Sequence, residues 1–214
     1  PRDATNVMPS EIDQITFLKG AQAVVLYGSK AAKGAVLITT KRGKNDGLKI
    51  EVRANTGLHV AKSFPEYLSS AEYMTLYNEA RANDGLTPLY SAADIYNHGS
   101  GLNPYRYPNI DYYSSDYIRK MYSRHEATAE ISGGGERAHF YSNINYYRSG
   151  DYFKFGEAKN NHISRFSVRG NVDVNISEDI KAWVNSSATF YDSNTAKGNY
   201  WNVAATMRPN FPQY

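Results

Sequence analysis

The sequence contains no cysteine, which excludes disulfides, thiolate metal sites and cysteine nucleophiles while leaving the compartment open. No run of 18 apolar residues occurs, and a transmembrane helix is excluded with it. Pro1-Arg2-Asp3-Ala4 is not a basic stretch leading into an apolar one, so the reading expected here is a segment without a secretory leader. Charge of one sign is also scarce. The net charge is +3, and residues 1–44 hold 7 Lys/Arg against 3 Asp/Glu, whereas the remainder holds 17 against 18. Nucleic-acid binding needs a broad basic face, and none is present. Mean hydropathy is −0.60 with 41% hydrophobic residues, which fits neither a helical membrane protein nor a disordered tail. Tryptophan and phenylalanine are few, with 2 Trp and 8 Phe against 19 Tyr. The aromatic content therefore consists largely of amphipathic rings suited to boundaries between polar and apolar surroundings.

Period-two alternation is the dominant pattern. It runs over Leu48–Thr56, Glu126–Ile131, Ala138–Tyr147, Phe166–Ile176 and Ile180–Tyr191. One face of these five runs holds 25 positions without a single Asp, Glu, Lys or Arg, and the other holds 23 positions of which 8 are charged. A soluble β-sandwich also alternates. Length favours another solution, because several runs approach the 9–11 residues that a tilted strand needs to cross a bilayer. The connections alternate long and short: residues 57–125, Gly133–Glu136, residues 148–165 and Ser177–Asp179. Long loops at one end and short turns at the other are what outer-membrane barrels show.

The first long connection has local structure of its own. Ser69-Ser70-Ala71-Glu72 forms a capping box ahead of Tyr73–Arg81, and Asn83-Asp84-Gly85 is a stop, which predicts one helix. Residues 85–117 read as an irregular segment. Eleven of the 19 Tyr fall within residues 58–124. Of these, Tyr90, Tyr96, Tyr105, Tyr107, Tyr112 and Tyr113 are candidates for an outer contact surface with substrate or partner. Packing of the loop on itself is the competing reading.

Residues 1–44 differ in texture. A strand-like run over Ile12–Leu18 is closed by Lys19-Gly20, a short helix over Ala21–Leu26 by Tyr27-Gly28, and Ala35–Thr40 reads as a buried strand. Gly20, Gly28 and Gly34 stand where runs of unlike period meet, which assigns them to tight turns or close backbone approach. The spacing of a phosphate-binding loop is absent.

These residues carry a resemblance. Glu11–Gly20 followed by Leu26–Gly43, with Tyr27-Gly28-Ser29 and Thr39-Thr40-Lys41 as its most specific parts, resembles the end of the plug domain of TonB-dependent outer-membrane transporters. The form Tyr-Gly-Ser-x-Ala-Ala-x-Gly-x-x-x-Ile-Thr-Thr-Lys is similar to the SusC/RagA branch. The resemblance covers roughly residues 10–56 well and 66–192 by pattern, with Ala21 where many relatives carry Pro. It implies a small α+β plug fragment over residues 1–44, then an all-β transmembrane antiparallel barrel over 45–214, incomplete at about five strands, with residues 57–125 extracellular. Lys19, Gly20, Tyr27, Gly28, Ser29, Gly34, Thr39 and Thr40 are its structural plug motif.

The activity implied is active import of glycans or peptides across the bacterial outer membrane. A SusD-like lipoprotein would be partner, and TonB would act through an upstream segment absent here. Outer-membrane lipid would surround the barrel, and no cofactor or nucleic acid is implied. A siderophore or cobalamin receptor and a soluble sandwich adhesin remain alternatives. Catalysis is not expected. Five histidines, at 59, 98, 125, 139 and 162, lack metal-ligand spacing. The carboxylates Glu51, Glu126, Glu130 and Asp173 alternate with Lys49, Arg53, Arg169 and Lys181, a pattern that predicts neutralisation across the barrel wall rather than a glycosidase pair.

Overall fold

The computed structural model describes residues 7–211; the leader reading of residues 1–4 and the outer ends of the two expected domains lie outside these. The first elements are strand β1 (Ile12–Leu18), helix α1 (Ala21–Tyr27) and strand β2 (Ala35–Thr40). β1 and β2 form an antiparallel two-stranded sheet running from Leu18↔Ala35 to Ile12↔Thr40, with an irregularity between Ile12 and Gln14.

A second sheet follows, ordered β3-β4-β5-β6-β7. Its strands are β3 (Lys49–Val60), β4 (Met121–Gly134), β5 (Ala138–Ser149), β6 (His162–Asn175) and β7 (Lys181–Asn194). Neighbours are antiparallel, as the pairings show. Gly134 N–H donates to Asp46 O at one end and Ala61 N–H to Lys120 O at the other, so residue numbers rise along β3 while they fall along β4. All five exceed the usual 5–6 residues of a soluble strand. Each alternating run is lengthened at one end or both, although Leu48, Ile176 and Ile180 fall just outside the strands, because backbone pairing continues past the point where side-chain contrast fades.

The sheet is apolar on its open side, and on the central strands β4–β6 the opposite, polar face is the buried one, whereas the edge strands β3 and β7 are largely exposed on both faces. Ile50, Val52, Val184 and Phe190 are 60–71% exposed. Asn143, Asn145 and Asn171, on the opposite face, are 0–2% exposed. A soluble sandwich would bury the first set against a second sheet; no second sheet covers it among the described residues.

The chain divides into two compact units. One comprises Pro1–Gly57, Arg124–Arg148 and Ile163–Asp192, and holds the two-stranded sheet, α1 and most of the five strands. The other comprises Leu58–Ser123, Ser149–His162 and Ser193–Tyr214. It contains helices α2 (Ser70–Asn83), α3 (Ala92–Ser100) and α4 (Tyr200–Thr206). Ser69 caps α2 as expected: its hydroxyl accepts from Glu72 N–H while the Glu72 carboxylate accepts from Ser69 N–H at 2.8 Å. The irregular reading of residues 85–117 needs correcting. α3 forms there because Ser91 and Asp94 repeat the same reciprocal cap, and Gly101 ends the helix in the left-handed conformation. Met74, Ile118 and Phe153 make the apolar core of this unit, each 6% exposed or less.

Candidate functional site

In the first unit the plug motif is built around α1. Gly20 and Gly28 flank the helix with positive φ, and Tyr27 ends it half exposed. Lys19 lies at the end of β1 and Ser29 opens a single 3-10 turn. Gly34 has φ +106° and a Cβ there would sit 3.0 Å from the Leu18 carbonyl, so both conformation and space require glycine. Thr39 and Thr40 end β2 and line a polar cavity of about 420 Å³ with Lys41, Glu51, Glu130 and Tyr141.

Around that cavity, charged groups from residues 11–42 meet the polar face of the sheet. Arg169 Nε on β6 donates to Glu11 Oε2 at 2.7 Å, and Glu11 is 2% exposed. Lys41 Nζ and Tyr141 Oη both donate to Glu130 Oε2, at 2.8 and 3.0 Å. Arg53 lies 3.5 Å from the other Glu130 oxygen. Arg42 pairs with Asp173, whose second oxygen lies 3.6 Å from His139 Nε2. Asn171 Nδ2 donates to the Lys41 carbonyl at 3.0 Å, and Asn143 Nδ2 donates to Tyr141 Oη at 3.3 Å. Gly43 completes the fastening. A Cβ at this position would collide with the Phe140 backbone, so the chain after Lys41 lies directly on β5.

The expectation of wall charges neutralising one another holds only in part. Glu51 pairs with Arg53 two residues on in its own strand, and Glu126 lies 3.7 Å from Arg124. Glu130 meets Arg53 on the neighbouring strand, as expected, and Lys41 as well, whereas Arg169 and Asp173 find Glu11 and Arg42. Glu11, Lys41 and Arg42 were not legible as a site because their partners lie 89 to 158 residues away.

The six candidate tyrosines of the second unit do not form one surface. Tyr113 stacks on Tyr67 at 5.4 Å and lies 5.9 Å from Trp201. Tyr112 is 7% exposed and accepts, through its carbonyl, the Tyr200 hydroxyl at 2.7 Å. Both belong to an aromatic cluster with Phe64, Tyr152, Phe153 and Phe155. Tyr90 sits edge-on to Tyr77, and Tyr107 edge-on to His98. Tyr96 and Tyr105 are 70% and 92% exposed. Burial raises the pKa of Tyr112, Tyr113 and Tyr200 above the usual phenol range, so these rings stay neutral. The Glu72 and Asp94 carboxyls are held below their usual range by hydrogen bonds from their cap serines. Trp201 and Tyr200 were missed by sequence reasoning, since α4 has seven residues and too short a pattern to announce itself.

No protein-family model matches the chain. It is 30% identical over 212 residues to the TonB-dependent receptor P26 of Formosa agariphila, a match that covers 98% of this chain and 20% of that protein. It is 40% identical over 75 residues to the TonB-dependent receptor SusC of Bacteroides thetaiotaomicron, covering 34% of this chain and 7% of the receptor. Among solved structures, its fold is similar to the RagAB peptide importer in the closed-closed state. The TM-score is 0.67 at 18% identity, over 90% of this chain and 23% of that one. The chain thus spans about a fifth of the relatives it matches along most of its length.

Proposed function

The chain is a SusC/RagA-type segment of a TonB-dependent receptor, and from that premise we propose that it serves energy-driven import of oligosaccharides or peptides across a bacterial outer membrane. Residues 1–44 are the end of the plug and residues 45–214 the first strands of the barrel. The connection 57–125 faces the cell exterior and Gly133–Glu136 the periplasm. A SusD-like lipoprotein delivers substrate, and TonB acts through a segment upstream of these residues. No bond in the substrate is broken, so the protein is not an enzyme.

The single observation that carries this reading is the inverted exposure of the sheet. Its apolar face is open, and the polar face of the central strands β4–β6 is buried where charged groups flanking the plug-like sheet meet it, which suits lipid outside and a plugged lumen inside. Holding a plug by ion pairs rather than by an apolar interface also suits reversible release. Charged groups that part can be taken up by water in the lumen, whereas an apolar face exposed there would resist separation.

The test is uptake by cells carrying the full-length receptor. Labelled oligosaccharide and peptide mixtures are offered with and without TonB, and with the proton gradient collapsed. Uptake that needs the receptor, TonB and the gradient is expected. Uptake unaffected by removing TonB would overturn the proposal.

A further inference from the structure

The second unit contains a cleft of about 460 Å³, within the roughly 300–1,000 Å³ typical of small-ligand sites. Three stretches of chain form its walls: the entry to α2, residues 109–112 and residues 204–209. We propose that this cleft is a saccharide-binding site, with sugar ring faces against Tyr67 and Tyr73 and sugar hydroxyls bonded by Glu72, Asn109, Asp111 and Arg208.

The argument starts from which polar groups are already engaged. Four main-chain donors around the cleft are already engaged: Ile110 N–H by Pro209 O, Ser70 N–H by Asn109 Oδ1, Glu72 N–H by Ser69 Oγ and Met207 N–H by Val203 O. An extended peptide is held chiefly by main-chain pairing to an open strand edge, and none of the three stretches that wall the cleft is a β-strand.

The side chains have capacity left. Glu72 uses Oε2 on Ser69, Asn109 uses Oδ1 on Ser70, and Asp111 uses Oδ1 on Tyr113 N–H. In each, one end of a planar group is fixed by an internal bond while the other end has no protein hydrogen bond among the described residues. Arg208 lies over the Tyr77 ring at 5.5 Å and the Phe211 ring at 5.4 Å. No described carboxylate pairs with it, so its N–H groups remain available. Two fixed acceptors, one amide donor and one guanidinium suit hydroxyls, which both donate and accept.

Ring faces complete the complement. Tyr67 is 52% exposed, and Tyr73 is stacked on Tyr77 at 5.8 Å, which holds its plane. Apolar C–H faces of a sugar pack on such rings while its edges reach the polar groups. The proposal rests on the import reading for the origin of the ligand.

The experiment uses the full-length receptor in detergent, applied to a printed oligosaccharide array of neutral and acidic members and to a casein peptide digest. Asp111→Asn keeps the acceptor for Tyr113 N–H and changes only the outer atom. Arg208→Gln and Tyr73→Leu remove the guanidinium and the ring, and Glu79→Gln on α2, outside the cleft lining, is the control. Wild type and control should retain the same oligosaccharides, and each cleft variant should bind them about tenfold more weakly or worse. No oligosaccharide retained, equal retention by the cleft variants, or a casein peptide whose binding depends on Asp111 and Arg208 would each overturn the proposal. If Tyr73→Leu fails to fold, Asp111→Asn still decides. TonB-dependent uptake with unaltered binding by the variants would sink the cleft and leave import standing. Cleft-dependent binding without TonB-dependent uptake would do the reverse.

Discussion

Glu11 and Arg169 show how a charge can be both buried and useful. With Glu11 2% exposed and bonded at 2.7 Å, removing either partner leaves the other desolvated and unpaired, at a cost of about 3–5 kcal/mol. Arg169→Ala should therefore loosen β1 and β2 locally. In the full-length receptor, amide hydrogen exchange over residues 12–18 and 35–40 is expected to accelerate by roughly a hundredfold or more. The pair Glu11→Gln with Arg169→Met should recover part of that protection, because neither residue then carries an isolated charge. Exchange unchanged in Arg169→Ala would show that the pair does not fasten the plug-like sheet. None of this was readable in the sequence. Residue type marked Glu130, Arg169 and Asp173 as charged positions on a polar face, and only the folded chain supplies their partners.

At the level of elements, legibility followed the strength of local signals. The strands were readable because alternation persists over ten or so residues with unlike chemistry on the two faces. α2 was readable from Ser69 and Glu72. α3 was overlooked although Ser91 and Asp94 repeat that cap, because Tyr, Asn, Gly and Pro around it read as loop. The caps also set a pH dependence. Serine hydrogen bonds hold the folded Glu72 carboxyl below its usual pKa, so its contribution is complete above the ordinary glutamate value of about 4.3 and fades as pH falls through the folded value. The protection factor at the first turn of α2, taken relative to intrinsic exchange at each pH, should fall on acidification through that range. In Glu72→Gln, whose amide oxygen can still accept from Ser69 N–H but does not titrate, that protection should be nearly independent of pH. A wild-type first turn equally protected at both ends of the range would contradict the linkage.

For the whole molecule, the decisive property is which face of the five-stranded sheet is open. Val168 lies mid-strand in β6 on the apolar face, and Ser187 lies on the polar face of β7. A full-length receptor carrying Val168→Arg should lose about 2–4 kcal/mol on assembly into lipid vesicles, the cost of a cation near the bilayer midplane. Ser187→Arg should lose much less. Equal tolerance of both would mean that the open face meets water, as in a soluble adhesin.

The aromatic cluster of the second unit gathers rings from distant parts of the chain. Phe64 and Tyr113 belong to the first long connection, Phe153 and Phe155 to the next, and Tyr200 and Trp201 follow β7. Closing such wide loops costs entropy before any ring contact can repay it. The order of synthesis then becomes part of the structure. The connection that carries most of the tyrosines emerges early, yet packing partners such as Tyr200 and Trp201 follow β7, so it reaches its final form only after all five strands have been made.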